Sequence, residues 1–180
     1  LAELADSGVK ITWMIGNHDI WIFDYLPSEL GIEVVDGTLV RDICGRRFFI
    51  THGDGVGRAS RAFRFLRALF RNRFCQWLFA SVHPRWTVPL ARSFSNDNRS
   101  RHPVPDAYRG RSTEPLIIFA DEYLSAHPDI NYFIFGHRHA LADERLSPTC
   151  RAIILGEWID LCSYARISPG APLALHRFEE

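Results

Sequence analysis

Three apolar runs in this chain each end in a short polar group that contains a glycine. The run at residues 11–15 precedes G-N-H-D at 16–19, the run at 47–51 ends in T-H-G-D at 51–54, and I-N-Y-F-I-F precedes G-H-R-H at 136–139. Short apolar runs followed by turn residues are typical of buried strands. Polar groups just past strand ends meet at one edge of a sheet. The sequence therefore predicts an α/β (α+β) fold with a functional site at that edge.

The residue types at these strand ends indicate a metal site. They combine an amide with several imidazoles and nearby carboxylates, a mixture that suits Mn, Fe, Zn or Ni better than Ca or Mg. In an extended backbone His137 and His139 would face the same side, toward one metal cluster. A lone histidine at a strand end is more often structural, but three such groups in order favour a metal site over that alternative.

The remaining patterns predict helices and strands around these runs. The segment from Gly31 to Gly55 alternates between apolar and polar residues and predicts two or three strands. A helix is expected to begin after Ser112 or Thr113, with Pro115 in its first turn, and to end near Ala126. Closing strands are predicted in three segments near the end of the chain: C-R-A-I-I-L-G-E-W-I-D, S-Y-A-R-I and L-A-L-H-R-F.

A helical insert is predicted at residues 55–111, between core segments at 1–54 and 112–180. One helix is expected before Pro84, which would close the segment. Its apolar stripe and its arginine stripe lie on opposite sides: Phe63, Leu66, Phe70 and Trp77 against Arg61, Arg64, Arg67 and Arg71. The apolar stripe would either pack the insert onto the core or hold an apolar ligand, and the arginines would meet phosphates or anionic headgroups.

The formal net charge is zero, but the charge is segregated. The stretch 58–111 has twelve arginines against two aspartates, a net charge of +10, which leaves −10 on the remainder. Such a stretch suggests an anionic partner, although a solvated basic helix is the alternative. Four scattered cysteines without C-x-x-C indicate reduced thiols of a cytosolic protein. No apolar run reaches the length of a membrane span.

The order G-N-H-D, T-H-G-D, G-H-R-H resembles the last three motif blocks of the calcineurin-like metallophosphoesterases. The resemblance implies a β-sandwich flanked by helices with a helical cap insertion, and two divalent metal ions, Mn²⁺ foremost. It implies these ligands: Asn17, His52 and His137 for one metal and His139 for the other. It further implies that His18 protonates the leaving oxygen or stabilises the phosphoryl group, and that Asp19 orients His18.

Two family blocks, D-x-H and G-D-x-x-D, do not precede Gly16. In the family they supply three ligands of the first metal and the carboxylate that bridges both metals. The chain begins at Leu1 in what resembles the end of a helix. We therefore expect an N-terminally truncated enzyme that lacks the first part of the fold, and we expect residues 1–180 alone to bind metal poorly and to be a weak catalyst.

Within this superfamily the chain is most similar to the UDP-2,3-diacylglucosamine hydrolase family. The similarity is carried by the insert and by four further segments: G-N-H-D-I-W-I-F-D-Y-L-P-S-E-L-G-I-E-V-V-D-G, F-F-I-T-H-G-D-G-V-G, F-G-H-R-H-A-L-A-D-E-R-L and L-G-E-W-I. It implies cleavage of a lipid-linked nucleotide sugar to UMP and 2,3-diacylglucosamine 1-phosphate in lipid A biosynthesis. It also implies a cytoplasmic protein bound peripherally to the inner face of the inner membrane. Arg58, closest in sequence to the His52 loop, is the candidate substrate-binding arginine.

One departure keeps other functions open, because studied members of that family have G-N-R-D where this chain has His18. The first alternative is a metallophosphoesterase for another nucleotide or phosphodiester. The second is a non-catalytic scaffold, against which the intact polar motifs argue. The third is a nucleic-acid binder, suggested by arginines interleaved with aromatics, and it is the least expected of the three.

Overall fold

A computed structural model of the chain describes residues 1–57, 61–89, 92–93 and 108–178. The chain divides into two compact units, Leu1–Arg58 with Ala107–Glu180, and Ala59–Asp106. No helix among the described residues is long and apolar enough to cross a membrane. All four cysteines are free thiols, in agreement with the sequence expectation.

The first unit contains a five-stranded mixed sheet with the order β3-β4-β5-β7-β6. Its strands are β3 (Thr38–Ile43), β4 (Arg46–Thr51), β5 (Tyr132–Phe135), β6 (Leu141–Arg145) and β7 (Arg151–Leu155). β4, β5 and β7 run parallel, whereas β3 and β6 are antiparallel edge strands. The mixed sheet flanked by helices is compatible with a metallophosphoesterase-type fold, so the predicted fold class is confirmed.

Two smaller sheets complete this unit. β1 (Thr12–Met14) pairs in parallel with β2 (Glu33–Val35), and β8 (Ser163–Arg166) pairs antiparallel with β9 (Ala174–Arg177). α1 (Ala2–Asp6) precedes β1, and α2 (Tyr25–Leu30) lies between β1 and β2. β1 therefore belongs to a different sheet from the strands that precede the other two polar groups.

The central strands of the five-stranded sheet are buried on both faces, since successive side chains point to opposite faces and an apolar cluster covers each face. On one face Phe49, Phe133 and Phe135 pack with Leu116 and Ile117 of α6 (Pro115–Ala126). On the other face lies a second cluster, formed by Phe48, Tyr132, Ile134, Ile153 and Leu173 with side chains from β8 and β9. This double burial gives the strand ends a rigid frame.

The second unit departs from the single helix expected before Pro84. α3 (Arg61–Arg71) ends before Asn72, and α4 (Arg73–Ala80) begins after it. The Asn72 side chain accepts hydrogen bonds from the amides of Phe74 and Cys75, an N-cap that starts a new helix. Pro84 does not close the segment, because residues 84–89 are helical (α5) with Pro84 first.

Of the other helices and strands, some were predicted correctly and two were missed. α6 begins at Pro115 and ends at Ala126, as the sequence predicts, and the closing strands form as β7, β8 and β9. α2 and β6 were not predicted. α2 is a single short stretch with Pro27 inside it, and β6 is a charged edge strand without a clear apolar alternation.

Candidate active site

Two of the three polar groups are brought together by strand register. β4 and β5 are parallel neighbours, and Thr51 pairs with Phe135 at their carboxyl ends. His52 and Gly136 therefore start adjacent loops at the same edge of the sheet. A methyl group at Gly136 would lie 3.3 Å from the His52 Nδ1 atom, so the second loop passes directly over the imidazole.

The third group arrives from the separate β1–β2 sheet and contacts the same imidazole. The Nε2 atom of His52 lies 3.0 Å from the Oδ1 atom of Asn17. Asn17 and His52 are 35 positions apart, and both are partly buried. The loop after β1 therefore joins the loops after β4 and β5 in one site.

His52 is the centre of a group of histidines. Its ring centroid lies 5.2 Å from that of His137, with the rings edge to face. His18 and His139 both lie within electrostatic reach of His52 and oppose its protonation. The structure thus places Asn17 and His137 in contact with His52, and it places His18 and His139 within electrostatic reach of His52.

The Asp19 carboxylate fixes the loop that carries Asn17. Its Oδ1 atom accepts a hydrogen bond from the Gly16 amide at 2.5 Å, and its Oδ2 atom accepts one from the Trp13 indole Nε1 at 2.7 Å. Both carboxylate oxygens therefore hold the turn after β1. The predicted role of Asp19 in orienting His18 stays a prediction.

Gly16 is required by the close approach of two side chains. A Cβ atom at this position would lie 2.9 Å from the His52 Cε1 atom and 3.0 Å from the Asp19 Oδ1 atom. Both distances are shorter than a van der Waals contact between these atoms. The absence of a side chain at Gly16 allows His52 to reach Asn17.

The site favours neutral imidazoles, the form that binds metal ions. Burial lowers the pKa of His52, with Asp54 and Asp19 acting in the opposite direction. Burial, followed by the neighbouring His52, lowers the pKa of His137. His137 as a whole residue is exposed, however, and solvent screening weakens the lowering of its pKa.

His137 has a backbone conformation that the sequence did not predict. Its φ angle is +62°, in the left-handed region, and the Arg138 amide donates to the Gly136 carbonyl at 2.6 Å. The expectation of an extended backbone from His137 to His139 is therefore wrong, and the prediction that both histidines face one metal cluster stays a prediction. The segment is a tight turn, because it must reverse direction directly after β5.

Two carboxylates near the site had no predicted role. Asp54 is buried and lies within electrostatic reach of both His52 and His137. Glu157 follows β7, and its carboxylate accepts hydrogen bonds from the amides of Ile159, Asp160 and Leu161. Burial raises the pKa of Glu157, but these hydrogen bonds together outweigh burial and lower it. The place of Asp54 in T-H-G-D was the signal that could have found it.

The donor atoms present fit one metal ion in part. Two ligands about 2.1 Å from a metal lie about 3 Å apart when they are cis in an octahedron, and Asn17 Oδ1 and His52 Nε2 have this separation. Among the described residues, however, no three His, Cys, Asp or Glu side chains are already grouped around one cation position. Arg58, the candidate substrate-binding arginine, lies outside the described residues.

No protein-family model matches the chain. The whole chain is 39% identical to a protein named UDP-2,3-diacylglucosamine hydrolase from Porphyromonas gingivalis and covers 73% of that protein. A protein of the same name from Pseudomonas entomophila is 27% identical over 88% of the chain, which covers 65% of it. Another, from Aeromonas hydrophila, is 24% identical over 94% of the chain, with 70% covered.

Proposed function

The chain belongs to the family of UDP-2,3-diacylglucosamine hydrolases, and we propose that it hydrolyses the pyrophosphate bond of UDP-2,3-diacylglucosamine in lipid A biosynthesis. The products are UMP and 2,3-diacylglucosamine 1-phosphate. The observation that carries this proposal is the identity of 39% along the whole chain to the Porphyromonas gingivalis hydrolase. The cluster of Asn17, His52 and His137 at one sheet edge supports it independently.

We propose that this cluster holds divalent metal, with Mn²⁺ as the first candidate. Asn17, His52 and His137 serve one ion, and His139 serves a second. The separation of 3.0 Å between Asn17 Oδ1 and His52 Nε2 and the lowered pKa of His52 support this assignment. The chemistry that such ions supply when bound is Lewis-acid activation of the phosphate and of water.

His18 is proposed as the proton donor to the leaving phosphate oxygen. Its imidazole is exposed beside Asn17, where a bound phosphate can reach it. Histidine is the side chain that enzymes use most often as a general acid. The hydrogen bonds of Asp19 to Gly16 and Trp13 hold the loop from which His18 projects.

The helices of the second unit are proposed to contact acyl chains and an anionic membrane surface on the cytoplasmic side. Phe65, Phe74 and Trp77 have 71%, 67% and 63% of their surface exposed, unusual values for large aromatic side chains. Leu66 and Phe70 of the predicted stripe are exposed as well, and the Phe63 side chain lies outside the described residues. Exposed aromatics beside arginines are typical of segments that lie at a lipid interface.

Vesicle binding tests the membrane contact. The full-length protein should sediment with vesicles that contain anionic phospholipid, and less so at high salt. Phe74→Ser and Trp77→Ser should reduce the bound fraction, whereas Trp158→Ser, an exposed aromatic of the first unit, should not. Equal sedimentation of all variants would reject a role of these helices in lipid binding.

The activity is tested on detergent-dispersed UDP-2,3-diacylglucosamine, with release of UMP followed by ³¹P NMR. Activity should disappear with EDTA, return with Mn²⁺ and be lost in His18→Gln. Full activity in EDTA, or equal turnover by the wild type and His18→Gln, would contradict the proposal.

A phosphoesterase for another nucleotide or phosphodiester is the second candidate. The observation that favours it is His18, which stands where studied hydrolases of the family have arginine. The ratio of kcat/KM for UDP-2,3-diacylglucosamine to that for a soluble diester separates the two functions. A ratio near or below one would favour the second candidate.

A further inference from the structure

A buried ion pair adjoins the two histidines of G-H-R-H. The Glu114 side chain is completely buried, and its Oε1 and Oε2 atoms lie 3.3 Å from Nε and Nη2 of Arg138. The Arg138 side chain is 20% exposed. A buried ion pair adds little net stability, because the loss of hydration offsets the attraction between the charges. A contribution to folding stability alone is therefore a weak reason for this pair.

Glu114 is held rigidly by its place in the fold. It is the N-terminal flanking residue of α6, and its carbonyl accepts hydrogen bonds from the amides of Ile117 and Ile118. Its own amide donates to the Gly110 carbonyl at 3.0 Å. Leu116 and Ile117, directly behind it, are buried in the core against the sheet. The carboxylate is therefore fixed relative to the ends of β4 and β5.

Arg138 lies between His137 and His139 in a turn that needs outside support. His137 has a left-handed φ angle of +62°, which is unfavourable for a residue with a side chain. A Cβ atom added at Gly53 would lie 3.3 Å from the His137 Cβ atom and 3.3 Å from the Leu116 side chain. The turn is thus packed between the His52 loop and the start of α6.

We propose that Glu114 is a positioning residue that fixes the turn at residues 136–139 through Arg138 and so directs His137 and His139 toward the metal. The expected effect on metal binding rests on the proposed metal-dependent function. The structural part of the proposal, the hold of Glu114 on the turn, does not depend on that function. Glu114 itself contacts neither substrate nor metal in this scheme.

The test uses Glu114→Gln, the double variant Glu114→Gln with Arg138→Met, and the control Glu122→Gln on the exposed side of α6. In the full-length protein, electron paramagnetic resonance of free Mn²⁺ gives the Kd. Thermal unfolding in EDTA gives the Tm. We expect the Kd to rise about 10–100-fold in the single and double variants, as for other residues that orient ligands. The Tm of the double variant should return toward that of the wild type.

Hydrogen exchange of the metal-free protein gives a readout that does not need metal. The Arg138 amide, which donates to Gly136, should exchange about tenfold faster in Glu114→Gln, with the Phe133 amide of β5 unchanged. An unchanged exchange rate at Arg138 overturns the proposal. So does an unchanged Kd in Glu114→Gln, or a Kd restored in the double variant. If the wild type binds no Mn²⁺, the metal-dependent function fails and hydrogen exchange alone decides.

Discussion

The Nε2 atom of His52 lies 3.0 Å from the Oδ1 atom of Asn17, although the two residues follow strands of different sheets. His52 follows β4 of the five-stranded sheet, and Asn17 lies in the loop after β1, which pairs with β2. The contact therefore depends on where the loop after β1 lies relative to the end of β4. It also makes Asn17 the most direct test of the proposed site.

Asn17→Ala should reduce Mn²⁺ affinity and hydrolysis by at least about 100-fold. Loss of a residue that only orients a metal ligand typically costs about 10–100-fold, and Asn17 is itself a proposed ligand. The free energy of unfolding in EDTA should change by only about 1 kcal/mol, the value of one hydrogen bond. Metal titration and urea unfolding measure the two effects.

The control for this variant is Asn131→Ala. The Asn131 Oδ1 atom accepts a hydrogen bond from the Arg47 amide at 2.9 Å, at the start of β4 and far along that strand from His52. The Asn131 Nδ2 atom also donates to the Thr149 carbonyl, so Asn131→Ala should lose at least as much stability as Asn17→Ala and keep its activity. Equal activity of Asn17→Ala and wild type would remove Asn17 from the ligand set.

Gly16→Ala should impair the site by steric exclusion alone. The new methyl group would lie 2.9 Å from His52 Cε1, whereas the methyl group of Gly136→Ala would lie 3.3 Å from His52 Nδ1. The Gly16 variant should therefore lose more Mn²⁺ affinity than the Gly136 variant. Titration of both metal-free proteins with Mn²⁺ measures this, and the reverse order would contradict the described packing of His52.

Asp19→Asn should loosen the loop after β1. The amide cannot accept hydrogen bonds from Gly16 and Trp13 as strongly as the carboxylate does, and hydrogen bonds to charged groups contribute about 1.5–3 kcal/mol. We expect a lower kcat/KM and a changed Trp13 indole N–H resonance in NMR spectra. Asp24→Asn, at an exposed helix start without a side-chain cap, is the matched control. An unmoved indole resonance would contradict this role of Asp19.

The stability of the metal-free protein should fall as the pH decreases from about 6.5 toward 4. Burial lowers the pKa of His52, and it lowers that of His137 to about 4. In this pH window the unfolded chain therefore binds more protons than the folded one, and protonation favours unfolding. Urea unfolding in EDTA at pH 7.5, 6 and 5 measures the slope.

Two variants identify the source of that slope. His52→Gln with His137→Gln should flatten the pH dependence of the free energy of unfolding between pH 5 and 6.5. Asn131→Ala removes no titratable group and should leave the slope unchanged. If the double variant keeps the full wild-type slope, other groups cause the acid sensitivity.

Local patterns in the sequence were sufficient for the fold class and for most elements. The run before G-H-R-H predicted β5, and Pro115 with the apolar residues behind it predicted α6, because strand and helix periodicity and proline geometry act over a few residues. The same rules missed α2 and β6, which are short and gain their stability from neighbouring elements. They also missed the break at Asn72, where one side-chain cap divides a predicted helix in two.

By itself the sequence determined which donor groups follow the buried strands, because the residue types there fix the kinds of donor atom available. Only the tertiary structure decided how they are arranged. The contact of Asn17 with His52 joins loops that follow strands of two different sheets, and the left-handed turn at His137 depends on its neighbours. The buried Glu114 pairs with Arg138, 24 positions away. These are long-range relationships, and no local propensity encodes them, because they arise only when the chain is folded.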